Sequence, residues 1–236
     1  MMDFESALFF EVLVSEAFIK GAAISVSLAT LSQLLAIFFG FFLAIFRLGK
    51  NPVLKTFAGV YIWLFRAIPA LLLLLIVWNA LPQLIPAMRQ EWYSPFLAAL
   101  LALSLLEGAY MAEILRSSIM SVDDGQALAA RALGMTPTQV MRKVVIPQLT
   151  RIAIPPTANE YIGMIKYTSL ASVISLQELL TRAGNGVSAT FRFVEYYAGA
   201  LVYYLVIVSV LMVLQARLEK RYAWISTVKK SGKVSK

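Results

Sequence analysis

Four ionisable residues interrupt the long apolar runs of this sequence: Arg66, Glu107, Glu160 and Lys166. A charged side chain inside a bilayer costs roughly 2.5 to 3.5 kcal/mol to insert, so such residues are expected at functional sites. Two carboxylates that face a cavity would suit a positively charged ligand. The alternative is an internal ion-pair network in which Arg66 pairs with either carboxylate across helices, and the sequence leaves both interpretations open. Lys166 is six residues from Glu160, so the two side chains do not share a helix face. We expect Lys166 either to mark the cytoplasmic end of a shorter span or to snorkel towards the interface.

The residues that are absent exclude several classes of chemistry. The chain has no Cys and no His, so zinc and haem sites built on those ligands, catalytic thiols and imidazole-dependent triads are excluded. The phosphate-binding pattern G-x-x-x-x-G-K-[ST] is also missing. We therefore expect no cofactor in this chain and no catalysis by it alone. Any ATP and Mg²⁺ that drive it must be bound by a partner.

The elements that position these residues are membrane helices. Hydrophobic residues make up 60% of the 236 residues and charged residues 14%, with a mean hydropathy of +0.76, whereas soluble domains carry roughly 25% charged residues. Apolar runs recur along the whole chain, which predicts an all-α polytopic membrane protein. We expect five transmembrane helices, at about 21–46, 57–81, 95–115, 152–176 and 196–216.

The distribution of basic residues orients these spans. Of the 21 Lys and Arg residues, fifteen flank one side and four the other, which predicts an outer N-terminus and a cytoplasmic C-terminus. The net charge of +8 is therefore a topology signal with anionic lipid, not nucleic acid, as the partner. Residues 1–20 are acidic, lack the basic region of a signal peptide, and are expected to form an amphipathic segment on the outer surface. Residues 223–236 are expected to form a basic cytoplasmic tail.

A polar stretch at 121–150 falls between the third and fourth spans, on the cytoplasmic side. Ser121 is expected to cap a first helix, and Gly134 is suited to the left-handed residue that ends one. Thr136, Pro137 and Gln139 have the spacing of a capping box with proline at the first helical position. Pro147 is expected to end the second helix. We interpret the stretch as a compact pair of short helices rather than a plain connecting loop.

This stretch resembles the cytoplasmic EAA loop of ABC importer permeases. The loop's Ala-Ala, Gly and hydrophobic-Pro elements stand at 129–130, 134 and 146–147. Neighbouring sequences are similar to the polar amino acid uptake branch, histidine, glutamine, arginine and opine permeases among them: GAYMAEILRSSIMSV (108–122), ARALGMT (130–136), IPPTANEYIGMIKYTSLASVI (154–174) and ATFRFVEYYAGALVYY (189–204). The resemblance covers about residues 20–222 and implies a type I importer permease of the bacterial inner membrane, here called the transmembrane permease domain (21–222).

The resemblance also implies partners and sites. Such permeases pair with a second permease subunit, an ABC ATPase dimer and an extracytoplasmic substrate-binding protein. The loop docks on the ATPase, which assigns coupling to Leu128, Ala129, Ala130, Arg131, Leu133, Gly134, Thr136 and Pro147. Asn159 and Glu160 match the family's Asn-Glu pair, so we expect Glu107, Asn159, Glu160 and Arg66 to line the substrate pathway.

Two departures from the family pattern have consequences for these expectations. Leu128 stands where the motif has Glu, which favours pairing with a sister permease that supplies the Glu rather than with a second copy of this chain. LFRAIPALL (64–72) replaces the more usual Phe-Arg-Gly-Thr-Pro, so a detail of the gate is expected to differ.

The two carboxylates favour a cationic amino acid. The competing functions are an ATP-independent amino acid carrier or channel and a membrane scaffold, and co-purification of an ATPase would separate them from an importer.

Overall fold

The structure is a computed structural model that describes residues 4–222, and within that range it is helical with no β-strand. The basic tail predicted at 223–236 lies outside the described residues. The helices are α1 (Ser6–Val14), α2 (Glu16–Leu48), α3 (Pro52–Ala67), α4 (Ala70–Leu75), α5 (Leu81–Leu84), α6 (Pro95–Met120), α7 (Asp124–Ala132), α8 (Pro137–Val140), α9 (Ile146–Tyr167), α10 (Leu179–Thr190) and α11 (Phe193–Tyr222). Two π turns, Ile76–Ala80 and Met141–Val145, and two 3₁₀ turns, Pro86–Arg89 and Thr168–Ile174, complete the order.

Several helices begin where the sequence supplies a cap. The side chains of Ser15, Asn51 and Ser94 each accept a backbone N–H from the first turn of α2, α3 and α6. Proline follows directly at the start of α3 and of α6, where its missing N–H has no intrahelical partner to lose. These caps fix the ends of the helices that carry the candidate site.

The centre of the fold is the contact between α2 and α6. One row of buried positions on α2 repeats every four residues and is small: Ser32, Ala36, Gly40 and Ala44. Small residues let two helix backbones approach closely, which is how helices associate in a membrane. The larger fully buried side chains come from α2, α4, α6 and α9 and include Leu28, Leu74, Leu103 and Met164. This core holds α6 and α9 side by side.

Three helices are long and apolar enough to cross a membrane: Glu16–Leu48, Pro95–Met120 and Phe193–Arg221. They contain the first, third and fifth predicted spans. The region of the second predicted span, 57–81, is bent, because Pro52–Ala67 and Ala70–Leu84 meet at 103°. The break falls at Ile68, whose extended backbone (ψ 130°) is the conformation that a following proline imposes. If this bent pair crosses as one broken span, the candidates number four.

The fourth predicted span, 152–176, corresponds to most of α9 and the 3₁₀ turn after it. By length and composition α9 does not qualify with the other three, because polar residues and the pair Pro155-Pro156 interrupt it. The structure therefore establishes a multi-helix membrane protein with three or four evident spans. The count of five remains a prediction.

The expectation that Pro147 ends a helix is wrong. α8, the π turn Met141–Val145 and α9 run on without an interruption, and Pro147 is the second residue of α9. The N–H of Ile146 bonds to the carbonyl of Met141, five residues back. This wider turn removes the proline ring from the carbonyl with which it would clash in a regular α-helix. The same arrangement occurs at Pro82, which follows the π turn Ile76–Ala80.

Candidate functional site

A buried carboxylate lies at the centre of the helix contact. Glu107 is the thirteenth residue of α6 and is 1% exposed. Neither of its carboxylate oxygens has a hydrogen-bond partner in the described part of the chain. Buried polar groups are nearly always hydrogen-bonded, so this carboxyl group is available to a partner from outside the described chain.

The second predicted carboxylate comes close to the first. Glu160 on α9 is half-buried, and it is the charged group that acts electrostatically on Glu107. The phenol of Tyr167, at the end of α9, lies within electrostatic range of both carboxyl groups and of Tyr110 on α6. The structure thus gathers two carboxyl groups and two phenols between α6 and α9. We call Glu107 and Glu160 the carboxylate pair. Two carboxyl groups flanked by phenols have the chemistry to hold a cation.

The predicted cations lie elsewhere. Arg66, at the end of α3, is exposed, and its guanidinium carbon lies 5.4 Å from the centroid of the Tyr110 ring. Lys166 and Asn159 are exposed on α9. Within residues 4–222, no ion pair joins Arg66 or Lys166 to either carboxylate. An ion-pair network therefore does not explain the carboxylate pair, while Arg66 stays beside it through Tyr110.

The predicted local structure of the polar stretch is largely confirmed. Gly134 has φ +83°, and the bonds Gly134 N–H to Arg131 (2.9 Å) and Met135 N–H to Ala130 (3.1 Å) close a Schellman motif. Thr136 and Gln139 form the capping box, with bonds of 3.3 Å and 2.9 Å.

The first cap of this stretch differs from the prediction. Asp123, not Ser121, caps α7, accepting the N–H of Gly125 at 2.9 Å. Ser121 instead lies at the end of α6, where its hydroxyl donates to the carbonyl of Ser117 at 2.7 Å. Because α6 continues to Met120, Ser121 is occupied by the preceding helix and the next cap moves two residues on.

The helix pair α7–α8 exposes apolar side chains. Leu128 is 69% exposed and Leu133 is 85% exposed, whereas Ala130 and Val140 are buried in the hinge between the helices. The side-chain amide of Gln148 on α9 donates to Gln126 on α7 at 2.8 Å, which ties the pair to the transmembrane part. Two exposed leucines on an otherwise polar protrusion are typical of a partner surface. The remaining predicted coupling residues, Ala129, Arg131, Gly134, Thr136 and Pro147, are all exposed.

Sequence reasoning missed a second buried carboxylate, Glu178. It is fully buried and caps α10, accepting from the backbone of Leu180 (2.9 Å) and Thr181 (2.7 Å). It also accepts the hydroxyls of Thr181, Tyr204 and Ser25. An acidic residue before a helical run was an available signal, but Tyr204 and Ser25 lie 26 and 153 residues away. Five donors satisfy Glu178, so its role is to join α2, α10 and α11.

No group of acidic side chains arranged to hold a metal ion occurs among residues 4–222. The candidate site consists instead of carboxyl, phenol and guanidinium groups, which can bind a ligand by charge and hydrogen bonding.

Comparisons with known proteins identify the family of this chain. Residues 36–224 match the family described as binding-protein-dependent transport system inner membrane component. The chain is 36% identical over 202 residues to the probable amino-acid permease protein YxeN of Bacillus subtilis (strain 168), covering 86% of this chain and 89% of the relative. It is 39% identical over 208 residues to the arginine transport system permease protein ArgU of Corynebacterium glutamicum, covering 84% and 66%.

The fold agrees as well. The crystal structure of an amino acid ABC transporter with histidines matches with a TM-score of 0.81 at 33% identity, covering 94% of this chain and 99% of that one. The family and the fold are those of ABC permease subunits, which are not catalytic themselves, rather than of a channel or an ATP-independent carrier. The chain belongs to the family of inner membrane components of binding-protein-dependent transport systems, as a multi-pass permease subunit.

Proposed function

We propose that this chain forms the pathway for polar amino acids, cationic ones among them, in an importer driven by ATP hydrolysis on a separate ATPase dimer. A binding protein delivers the amino acid on the outer side and a second permease subunit completes the pathway. In this arrangement α9 and its 3₁₀ turn form the fourth of five spans, the N-terminus is outside and the C-terminus is cytoplasmic. The positive-inside distribution of Lys and Arg supports that topology.

The observation that carries the proposal is the unpartnered Glu107 beside Glu160. An α-amino acid presents an ammonium group, and a cationic one presents a second positive charge. Two carboxyl groups without a protein cation supply the complement to that charge. Arginine transport by the relative ArgU is consistent with this charge preference.

The groups around the pair complete the proposed substrate contacts. Arg66, held over the Tyr110 ring, supplies a cation for the α-carboxylate. Asn159 is exposed beside Glu160 on α9, and at membrane depth an exposed amide belongs on a wetted or partner-covered face rather than on a lipid face. We therefore place the second permease subunit, and the pathway between the two, on the side of α9 that bears Asn159.

The pair α7–α8 is the proposed coupling element. Leu128 and Leu133 dock in the ATPase, and the Schellman and capping-box bonds hold the two helices at a fixed angle while they do so. Because α8 continues through the π turn into α9, a displacement of the docked pair is passed along one continuous helix to Glu160. Leu128 in place of the motif Glu supports a sister permease that supplies the polar contact.

The test is uptake and ATP hydrolysis in proteoliposomes that contain the permease, its ATPase and its binding protein, with each of several amino acids. We expect hydrolysis to rise only when all components are present, and to rise most with the transported amino acid. Glu107→Gln and Glu160→Gln should each lower uptake of a cationic amino acid by about tenfold or more, the loss expected for one charged hydrogen bond. Glu219→Gln, an exposed carboxylate on α11, is the matched control.

Two results would contradict the proposal. Substrate flux through the permease alone, without a stable ATPase complex, would assign it to carriers or channels. Unchanged uptake by both the Glu107 and Glu160 variants would remove the carboxylate pair from the pathway and leave the coupling proposal standing.

A further inference from the structure

A second cavity lies away from the carboxylate pair, at the end of the bundle where α2 begins. It has a volume of about 360 Å³ and lies between α1, the start of α2, α10 and the start of α11. Pockets for small ligands measure roughly 300 to 1,000 Å³, so this one suits a small molecule. The lining residues used below are Glu11, Ser15, Phe18, Arg182, Asn185 and Tyr196.

Arg182 on α10 is the unusual member of this lining. Its side-chain stem crosses the surface of α2 at Gly21, where a Cβ atom would stand 3.0 Å from the Arg182 Cγ. Its Nε is buried and has no hydrogen-bond partner in the described chain, and no acidic side chain there forms an ion pair with it. A half-buried guanidinium with no carboxylate bonded to it in the described chain is stabilised by an anionic partner from outside.

Glu11 supplies the opposite charge. It lies on α1 and lines the same cavity, and it forms no ion pair with Arg182. The cavity is therefore lined by a half-buried guanidinium on α10 and an exposed carboxylate on α1. Ser15 and Asn185 add neutral polar groups, and Phe18 and Tyr196 add apolar surface.

The wall formed by α1 is fixed rather than loosely attached. The backbone N–H of Glu5 donates to Glu195 at 3.0 Å, and Arg192 forms ion pairs with both Glu5 (3.1 Å) and Glu195 (3.6 Å). At the other end of α1, the hydroxyl of Tyr203 donates to the carbonyl of Leu13 at 2.8 Å. Because α1 is held at both ends, Glu11 is presented to Arg182 in a set arrangement.

We propose that this cavity is a second ligand site, distinct from the carboxylate pair, which binds the zwitterionic head of a free α-amino acid. The α-carboxylate binds the guanidinium of Arg182, an interaction that is well matched in charge and planarity. The α-ammonium group binds Glu11. A lipid phosphate would satisfy Arg182 alone and would be repelled by Glu11, so a zwitterion fits better than a purely anionic ligand. In the topology proposed above the site opens on the outer face, but binding itself does not depend on that topology.

The test is equilibrium binding of radiolabelled L-glutamine and L-arginine to the complex of the permease subunits and the ATPase, without the binding protein, which would bind the amino acids itself. The complex carries Glu107→Gln and Glu160→Gln, so that the pathway site contributes little. We expect both amino acids to bind, and Arg182→Met to weaken both by about tenfold or more. Methionine retains an apolar stem against Gly21, so thermal unfolding should change little, and Arg182→Lys should restore part of the binding. Arg89→Met, which removes a guanidinium that donates to the carbonyls of Pro82 and Gln83, is the matched control.

Ligand analogues assign the two ends of the site. L-glutaminamide lacks the carboxylate and should bind the parent and the Arg182→Met complex equally weakly. N-acetyl-L-glutamine lacks the ammonium and should be indifferent to Glu11→Gln. Failure of both amino acids to bind, or binding that ignores both substitutions, would overturn the proposal. Loss of glutamine binding when phosphatidylglycerol nanodiscs replace detergent would assign the cavity to a lipid headgroup and would also overturn it. None of these outcomes bears on uptake through the carboxylate pair.

Discussion

Gly40 of α2 and Met111 of α6 lie so close that a Cβ atom at residue 40 would stand 2.6 Å from the Cβ of Met111 and 2.8 Å from the N of Ala112. No side chain fits between these two helices at this point. The contact lies one turn from Glu107, so the approach of the two backbones also positions the carboxylate pair. Packing and function therefore depend on the same few residues.

The first prediction concerns that contact. Gly40→Ala should lower the free energy of unfolding by about 1 to 3 kcal/mol, because the added methyl group must displace α6. The measurement is thermal or denaturant unfolding in detergent. Gly184→Ala is the control, since a Cβ at that helical position meets nothing within 4 Å and alanine is the better helix former by about 1 kcal/mol. Equal stability of both variants would show that the close approach is not a constraint.

The second prediction concerns the cap of α10. Glu178→Gln should lower the free energy of unfolding by about 2 to 4 kcal/mol, because each carboxylate oxygen accepts a backbone N–H and the amide group in either position would face one of these donors. Unfolding in detergent again gives the measurement. Glu219→Gln changes an exposed carboxylate that accepts one bond from Gln215 and should be nearly neutral. A Glu178 variant as stable as the Glu219 variant would contradict the view that this carboxylate joins three helices.

The third prediction concerns coupling. Leu133→Asp should abolish most of the ATP hydrolysis stimulated by the binding protein, about a tenfold loss, while the complex still folds, because Leu133 is a large exposed apolar residue of the proposed ATPase surface. Val53→Asp, at an exposed apolar position outside α7–α8, should retain coupling. Leu128→Glu restores the residue that the family motif has and should also retain it. Coupling that survives Leu133→Asp would move the ATPase contact elsewhere.

The fourth prediction concerns topology. Since the chain has no Cys, a single introduced cysteine reports its own location without background labelling. Thr138→Cys on α8 should react with a membrane-impermeant maleimide only from the cytoplasmic side, and Glu91→Cys, just before α6, only from outside. Both residues are exposed. Labelling of both from one side would be incompatible with the orientation proposed here.

Sequence reasoning succeeded where the signal is local. Gly134 and the Thr136–Gln139 capping box were predictable because each involves partners within five residues. The same reasoning misplaced the cap at Ser121, since the length of α6 is set by packing against α2 rather than by its own composition. It also missed the use of Pro147 inside a helix, because a π turn has no sequence signature that separates it from an ordinary turn.

The features that the sequence did not predict depend on contacts between residues far apart in the chain. Glu107 and Glu160 were identified as unusual from their apolar surroundings, but only the structure brings them together and moves Arg66 and Lys166 away from ion pairing with them. Pro69 lies within the second apolar run, but the 103° angle at that point accompanies packing of α4 against α6, which the sequence does not show. Glu178 was missed because its hydroxyl partners come from α2 and α11.

The π turn before Pro147 determines an angle as well as a path. A π turn contains one more residue than the α turn it replaces, and one residue corresponds to about 100° of rotation around a helix. Deleting one residue within Met141–Val145 would therefore restore a regular α turn and leave α9 facing as it does, whereas tightening the same five residues into α-helix would rotate α9 by about 100° relative to α7–α8. The direction in which Glu160 faces thus depends on how one turn, far from the carboxylates in sequence, accommodates its extra residue.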